Sequence, residues 1–278
     1  MKLTWRHFIN FSFFLELFLY ALSLFLTIGL ALNLMLQLPK ETGPTASYSV
    51  LSFVIMFVIA TIILLLILKY FKRPWLIQGI FYLAMLEGLL IFTQALIPWP
   101  QFLYAMGGII FFWLFYRNIL MHNIVLVLAI SAISVFFGLN LIPSAAILIL
   151  IVLAAYDFWA VYKTKHMVKM FRGMAEAKVN FSLIIPHSFS GLFKKIKEVS
   201  PSTEFMFLGT GDIAIPAIFA VSALRISAHT SIFSALGALF GFVLLYAIFV
   251  SQEKREPMPG LPPLVFGTLL GYLISFLF

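Results

Sequence analysis

Apolar residues run along this chain in long unbroken stretches instead of alternating with polar ones. Alternation would mark half-buried strands, whereas runs of about 20 apolar residues mark helices long enough to cross a bilayer. Nine such runs are present, at residues 8–37, 50–69, 75–97, 102–117, 120–140, 142–163, 203–226, 229–251 and 259–277. The fourth is short, and tight turns such as Pro98-Trp99-Pro100 and Leu141-Ile142-Pro143 join the third to the sixth. Backbone amides find no water in hydrocarbon, so helices or closed barrels are the only spanning solutions. The pattern predicts an all-α, polytopic membrane protein of nine transmembrane helices. These form one integrated membrane domain: six helices over 1–163, a polar connecting segment over 164–202, and three helices over 203–278.

Composition fits a lipid solvent. Hydrophobic residues make up 63% of the 278 and charged ones 10%, against about 25% charged in ordinary soluble domains. The absence of cysteine excludes disulfides, zinc–thiolate sites and cysteine nucleophiles. The basic N-terminus (Lys2, Arg6, His7) precedes an apolar run that is too long for a signal-peptide core and has no small-residue cleavage site. The run is therefore expected to be a retained first helix.

The net charge of +8 reads as topology, not as nucleic-acid affinity. Basic residues follow every second span: Lys2/Arg6, Lys69/Lys72/Arg73, Arg117, the stretch from Lys163 to Lys197, and Lys254/Arg255; Lys40 and Arg225 fall on the opposite side. Lys and Arg are enriched in cytoplasmic loops. The N-terminus is thus expected inside and the C-terminus outside. The cytoplasmic segment opens with Met167, Met170, Phe171 and Met174 at helical spacing among Lys165, Lys169 and Arg172. That pattern suits a basic amphipathic helix on an anionic leaflet, with a loose solvated loop as the alternative.

The acids carry the chemistry. Of ten acidic residues two are aspartates, and both Asp157 and Asp212 fall inside predicted spans, as do Glu16 and Glu87. An intramembrane carboxyl costs at least about 2.5 kcal/mol and marks a functional hypothesis by default; for Glu16 and Glu87 a structural carboxyl is the favoured reading. Asp157 lies six residues before Lys163 and Asp212 eight after Glu204, or about 9 and about 12 Å at helical rise. Antiparallel helices would then present both carboxyls at one level. Two such groups share a proton, so one carboxylate can activate water while the other, as acid, protonates a carbonyl oxygen. The same argument predicts a mildly acidic to neutral pH optimum.

Local sequence adds two features. Asp212 closes Gly209-Thr210-Gly211-Asp212, where glycines permit close backbone approach. Pro257-Met258-Pro259-Gly260-Leu261-Pro262-Pro263 cannot begin as a regular helix, because each proline lacks an amide donor; a rigid loop leading into the helix is the plain alternative.

Together these residues resemble the presenilin and signal peptide peptidase superfamily of Gly-x-Gly-Asp intramembrane proteases. Tyr156-Asp157 is similar to the family's sixth-helix motif and Leu208-Gly209-Thr210-Gly211-Asp212 to its seventh. Pro259-Gly260-Leu261-Pro262 is similar to the Pro-Ala-Leu-Pro motif before the ninth, with glycine replacing alanine at 260. The likeness covers residues 145–278; earlier it is span count and hydropathy alone. It implies a dyad of Asp157 and Asp212, support from Gly209, Thr210 and Gly211, an active-site loop of Pro259, Gly260 and Leu261, and Tyr156 beside the dyad. It implies transmembrane-helix substrates, no cofactor, no metal, and an archaeal homologue in the plasma membrane; a homo-oligomer stays open. Phe181-Ser182-Leu183-Ile184-Ile185 could pair as a strand with the unwound substrate.

Rival readings are weaker. The five histidines form no His-Glu-x-x-His, and Ser190-Gly191 near His187 lacks a serine protease's preceding glycine. Prepilin-type peptidases share Gly-x-Gly-Asp but have fewer spans and lack the proline motif. A proton or cation transporter or channel is the main alternative, although no internal repeat is visible and both aspartates lie on one side. A structural scaffold explains none of the motifs.

Overall fold

The computed structural model describes residues 10–37, 52, 55–56, 59, 63, 74–164, 182–199, 205–252 and 258–278. Eight α-helices lie among them: α1 (Phe11–Gln37), α2 (Pro74–Leu96), α3 (Gln101–Tyr116), α4 (Ile119–Asn140), α5 (Pro143–Trp159), α6 (Thr210–Ala223), α7 (Ala228–Ser251) and α8 (Leu261–Ile274). Five are long and apolar enough to cross a membrane (α1, α2, α4, α5, α7), while α3, α6 and α8 are shorter apolar helices. The expected second span, 50–69, and the amphipathic stretch of residues 165–174 lie outside the described residues, apart from five helical positions of the former.

Local chemistry sets the helix ends. The Asn10 side chain accepts the Phe13 amide at 2.9 Å, Asn118 accepts Met121 at 2.9 Å and Ser227 accepts Thr230 at 2.9 Å. Each oxygen satisfies an amide that the first helical turn leaves open. The proline-rich run behaves as its chemistry demands: Met258 and Pro259 are non-helical, and α8 starts at Leu261 with Pro262 and Pro263 in its first turn, where a missing amide costs nothing.

Two expectations are corrected. The chain is not purely helical, and the seventh span does not begin as a helix. Residues Phe205–Gly209 form strand β2, paired antiparallel with β1 (Ser182–Pro186) in the register Ser182↔Gly209, Ile184↔Phe207 and Pro186↔Phe205. A short run of Phe205-Met206-Phe207-Leu208 suits a strand as well as a helix, and burial of β1 against α4 decides for the strand. Asp212 therefore sits in the first turn of α6, not eight residues into a helix. Likewise α5 ends at Trp159 and continues as a π-helical turn, Ala160–Thr164.

The sheet is clamped to the bundle by side chains. Asn123 of α4 donates from Nδ2 to the Ile184 carbonyl (2.8 Å) and accepts the Ile184 amide on Oδ1 (3.0 Å), imitating a neighbouring strand. His122 Nε2 donates to the Ser182 carbonyl at 3.2 Å, and Ser12 Oγ donates to that of Pro186 at 3.2 Å. Both edges of 182–186 are thus used within the chain, by β2 and by this polar row. Of the stretch 181–185, residues 182–185 are not available in this arrangement for direct pairing with substrate. Beyond β1 the backbone docks on the α3–α4 corner, Ile119 N donating to Lys194 O at 3.1 Å and Ile196 N to Arg117 O at 3.2 Å. The described half of the connecting segment is therefore built into the fold.

Glycine seams close the other side. Gly237 and Gly241 of α7 face Gly267 and Gly271 of α8, and a Cβ at any of the four would run into the opposing backbone; one at Gly241 would lie 2.5 Å from the Pro263 carbonyl. Small residues let membrane helices approach closely where lipid offers no hydrophobic drive. The seam fixes α8, and with it the loop that precedes it.

Candidate active site

Three elements converge. Asp157 comes from the last turn of α5, Asp212 from the first turn of α6, and Pro259-Gly260-Leu261 from the approach to α8. Asp157 is buried, at 3% exposure. Its Oδ2 accepts the Leu261 amide at 3.1 Å, and its carboxyl also accepts the Gly260 amide. The loop thus grips Asp157 by its backbone, which no substitution of side chains can mimic.

The same loop touches Asp212 from its other face. A Cβ on Gly260 would lie 2.7 Å from Asp212 Oδ2, 2.8 Å from Cγ and 2.9 Å from Oδ1. Gly260 has φ −83° and ψ −38°, a conformation open to any residue; what requires glycine here is the approach of the carboxyl. Gly209 lies on the other flank: a Cβ there would stand 3.0 Å from Asp212 Oδ2, and the Gly209 backbone is hydrogen-bonded to the Asp212 carboxyl. Both carboxyls therefore meet at one residue, Gly260, and they interact electrostatically. Helical rise does not set the depth of Asp212, because strand β2 precedes α6, yet both carboxyls reach Gly260.

Pro216, four residues after Asp212 and inside α6, has no amide to offer the Asp212 carbonyl. Gly211 is exposed and a Cβ there would meet nothing; Thr210 opens the helix, half-buried. Tyr156, next to Asp157 on α5, is 55% exposed. Of the other intramembrane acids, Glu87 is exposed on α2 and Glu16 is buried on α1. An apolar groove of about 410 Å³ runs between α5 and α8, lined by Ile151, Ala154, Ala155, Phe158, Pro262, Val265 and Phe266; it abuts the loop that holds both aspartates. Among the described residues no group of three or more His, Asp or Glu side chains could hold a metal ion.

Sequence reasoning missed His122 and Asn123. A polar pair inside an apolar span was the available signal, but its partner strand lies about 60 residues away in the chain.

The family model for signal-peptide peptidase and presenilin aspartyl proteases matches residues 15–278. The chain belongs to that family. No curated protein sequence matches it. Two solved structures of a presenilin family intramembrane aspartate protease, in C222 and P2 crystal forms, are similar over nearly the whole length. The first is 22% identical with a TM-score of 0.62, covering 93% of this chain and 94% of the other. The second is 26% identical with a TM-score of 0.63, covering 93% and 96%. The protein is an intramembrane aspartyl protease with a presenilin-like, mostly helical fold. Nothing in these likenesses speaks for a transporter or channel.

Proposed function

We propose that Asp157 and Asp212 are the catalytic dyad of this protease. The observation that carries the assignment is their meeting at Gly260, one carboxyl held by the loop's amides and the other seated on its Cα. One carboxylate takes a proton from water as the water oxygen bonds to the scissile carbonyl carbon. The other carboxyl gives its proton to the carbonyl oxygen. Collapse of the resulting diol breaks the C–N bond, the nitrogen leaving with a proton from the dyad. Neither metal nor covalent intermediate is needed.

The substrate is a transmembrane helix, unwound locally because a hydrogen-bonded helix shields its carbonyls. The groove between α5 and α8 suits its side chains: the lining is apolar and includes Phe158, next to Asp157 in the chain, and Pro262, next to Leu261. Gly209, Thr210 and Gly211 shape the approach to Asp212, Pro259, Gly260 and Leu261 form the bridging loop, and Tyr156 flanks the substrate from α5.

The short loops favour a microbial homologue in the plasma membrane of an archaeon. The finer topology is nine spans with the N-terminus inside and the C-terminus outside. It rests on the alternation of Lys and Arg between loops. The cysteine-free sequence allows a direct test: single cysteines replacing Ser190 and His229 should react with an impermeant maleimide from inside and outside, respectively.

Cleavage of a generic transmembrane peptide by purified protein in liposomes tests the dyad. Wild type should cleave, and Asp157→Ala and Asp212→Ala should each lose at least about a thousandfold in kcat while remaining folded. A folded aspartate variant that cleaves as well as wild type sinks the assignment.

A further inference from the structure

The corner where α3 meets α4 carries a cationic rim bordered by exposed aromatic rings, and neither the dyad nor the groove uses it. Helix α3 ends at Tyr116, and Arg117 follows in a left-handed turn with φ 38°. The last turns of α3 are aromatic: Phe111, Phe112, Phe115 and Tyr116 are 50–70% exposed. Their rings support one another, Phe111 stacking on Phe115 at 5.8 Å and Phe112 on Tyr116 at 6.1 Å.

Onto this end the connecting segment is zipped by its backbone. Asn118 pairs with Lys195 as an isolated bridge, flanked by the bonds from Ile119 to Lys194 and from Ile196 to Arg117. The pairing brings Lys194, Lys195 and Lys197 beside Arg117, and all four are exposed. One acid, Glu198, follows them. The 3-10 turn Phe189–Phe193 leads into the same stretch, and the rings at its two ends are 64% and 54% exposed.

Two independent features thus coincide. Aromatic side chains gather where hydrocarbon gives way to headgroups, and the chain changes from apolar to charged at the end of α3. Cations that outnumber acids at that depth suit an anionic leaflet. A solvated loop accounts for the lysines but not for the exposed rings beside them. The rings of α3 belong to an apolar helix whose outer surface already faces lipid, which favours lipid over a water-borne protein partner.

We propose that this corner binds the headgroups of anionic phospholipids, with Arg117, Lys195 and Lys197 at the phosphates and Phe189 and Phe193 among the upper acyl chains. The occupant is a lipid of the surrounding bilayer, not a soluble anion. Lipid bound here tethers the link between β1 and β2 to the membrane surface. The proposal does not depend on which carboxyls are catalytic.

The cysteine-free chain allows a direct test. Ser190→Cys, in the full-length protein reconstituted into phosphatidylcholine vesicles, carries a single bimane label between the two rings. Its quenching is compared for phosphatidylglycerol and phosphatidylcholine bearing the same nitroxide high on an acyl chain, each present in both leaflets. One cation near an anionic surface is worth about a factor of five, so phosphatidylglycerol should be enriched at the label by at least about fivefold. The preference should fade at about 1 M salt. The triple variant Arg117→Gln/Lys195→Gln/Lys197→Gln should bring the two lipids close to parity while phosphatidylcholine still quenches. If it fails to fold, Lys195→Gln and Lys197→Gln decide singly: a reduced preference supports the proposal, and one unmoved in both overturns it. Equal quenching by the two lipids in wild type overturns it, as does a label that neither lipid reaches. A triple variant that keeps the wild-type lipid preference but raises KM for a peptide with an acidic flank assigns the corner to substrate and overturns it too.

Discussion

The two aspartates stand on helices held in opposite ways. Asp212 opens α6, which is buried through Ile213, Pro216, Ala217 and Phe219 to Ala223. Against α6 pack α1, α4, α5, α7 and α8, and the loop pressing on its carboxyl is fixed by the glycine seam of α7 and α8. Asp157 closes α5, whose buried residues are Ala145, Ala146, Leu150 and Asp157 alone. The rest of α5, including Ile151, Val152, Phe158 and Trp159, is half exposed. One carboxyl belongs to the centre of the bundle, and its partner to a helix at the periphery, facing lipid and the groove. An arrangement of this kind lets substrate reach the dyad from the membrane without opening the core.

The sharpest way to break that contrast is to open the seam. Gly271→Ile drives a side chain into the Phe233 carbonyl. Overpacking costs about 1–3 kcal/mol where neighbours can yield, and here the neighbour is backbone, so folded protein should be largely lost in thermal melts. On α5, Val152→Ala at a 55% exposed site should stay within about 0.5 kcal/mol of wild type. Equal losses at the two sites would erase the distinction between a central and a peripheral helix.

Gly260→Ala tests the junction between the two halves. The new methyl must displace the Asp212 carboxyl, its nearest neighbour at 2.7 Å. Small misplacements of reacting groups are costly, up to about 100-fold for 1 Å. The variant should fold normally and lose about tenfold in kcat with little change in KM, read from steady-state cleavage. Undiminished kcat would mean that Asp212 can work from another position.

Next in size is the sheet clamp. Asn123→Ala leaves both backbone groups of buried Ile184 without their partner. An unsatisfied buried group costs about 1–3 kcal/mol. The melting transition should fall accordingly, and an unchanged transition would show that the sheet does not depend on α4.

What the sequence disclosed follows from which signals are local. Apolar runs placed α1, α4, α7 and α8 within a few residues of their observed ends, since a span is defined by its own composition. Glycine and proline drew the eye to the turn before Asp212 and to the loop before α8, because they announce backbone geometry wherever they stand, whereas Asp157 stood out as an acid in an apolar run. Phe205-Met206-Phe207-Leu208 was unreadable: four apolar residues fit either period, and the run is continuous with the helix that follows. The clamp was hidden for another reason. Asn123 and Ile184 become partners only once the fold exists, and neither carries a mark of the other.

The smallest effect bears on the peripheral half alone. Ile151 lines the groove one to two turns before Asp157 and is 50% exposed, so it supports little of the fold. Ile151→Ala should leave stability nearly unchanged but remove apolar surface from the path that a transmembrane substrate takes. A loss of a few methylenes of contact is worth about 1 kcal/mol or somewhat more, which predicts KM raised several-fold with kcat intact. The split is what matters. Uniform binding energy appears in KM, whereas an interaction made only at the transition state appears in kcat. If Ile151→Ala lowers kcat and spares KM, the groove wall is helping to hold Asp157, and the peripheral helix is less independent of the chemistry than its exposure implies.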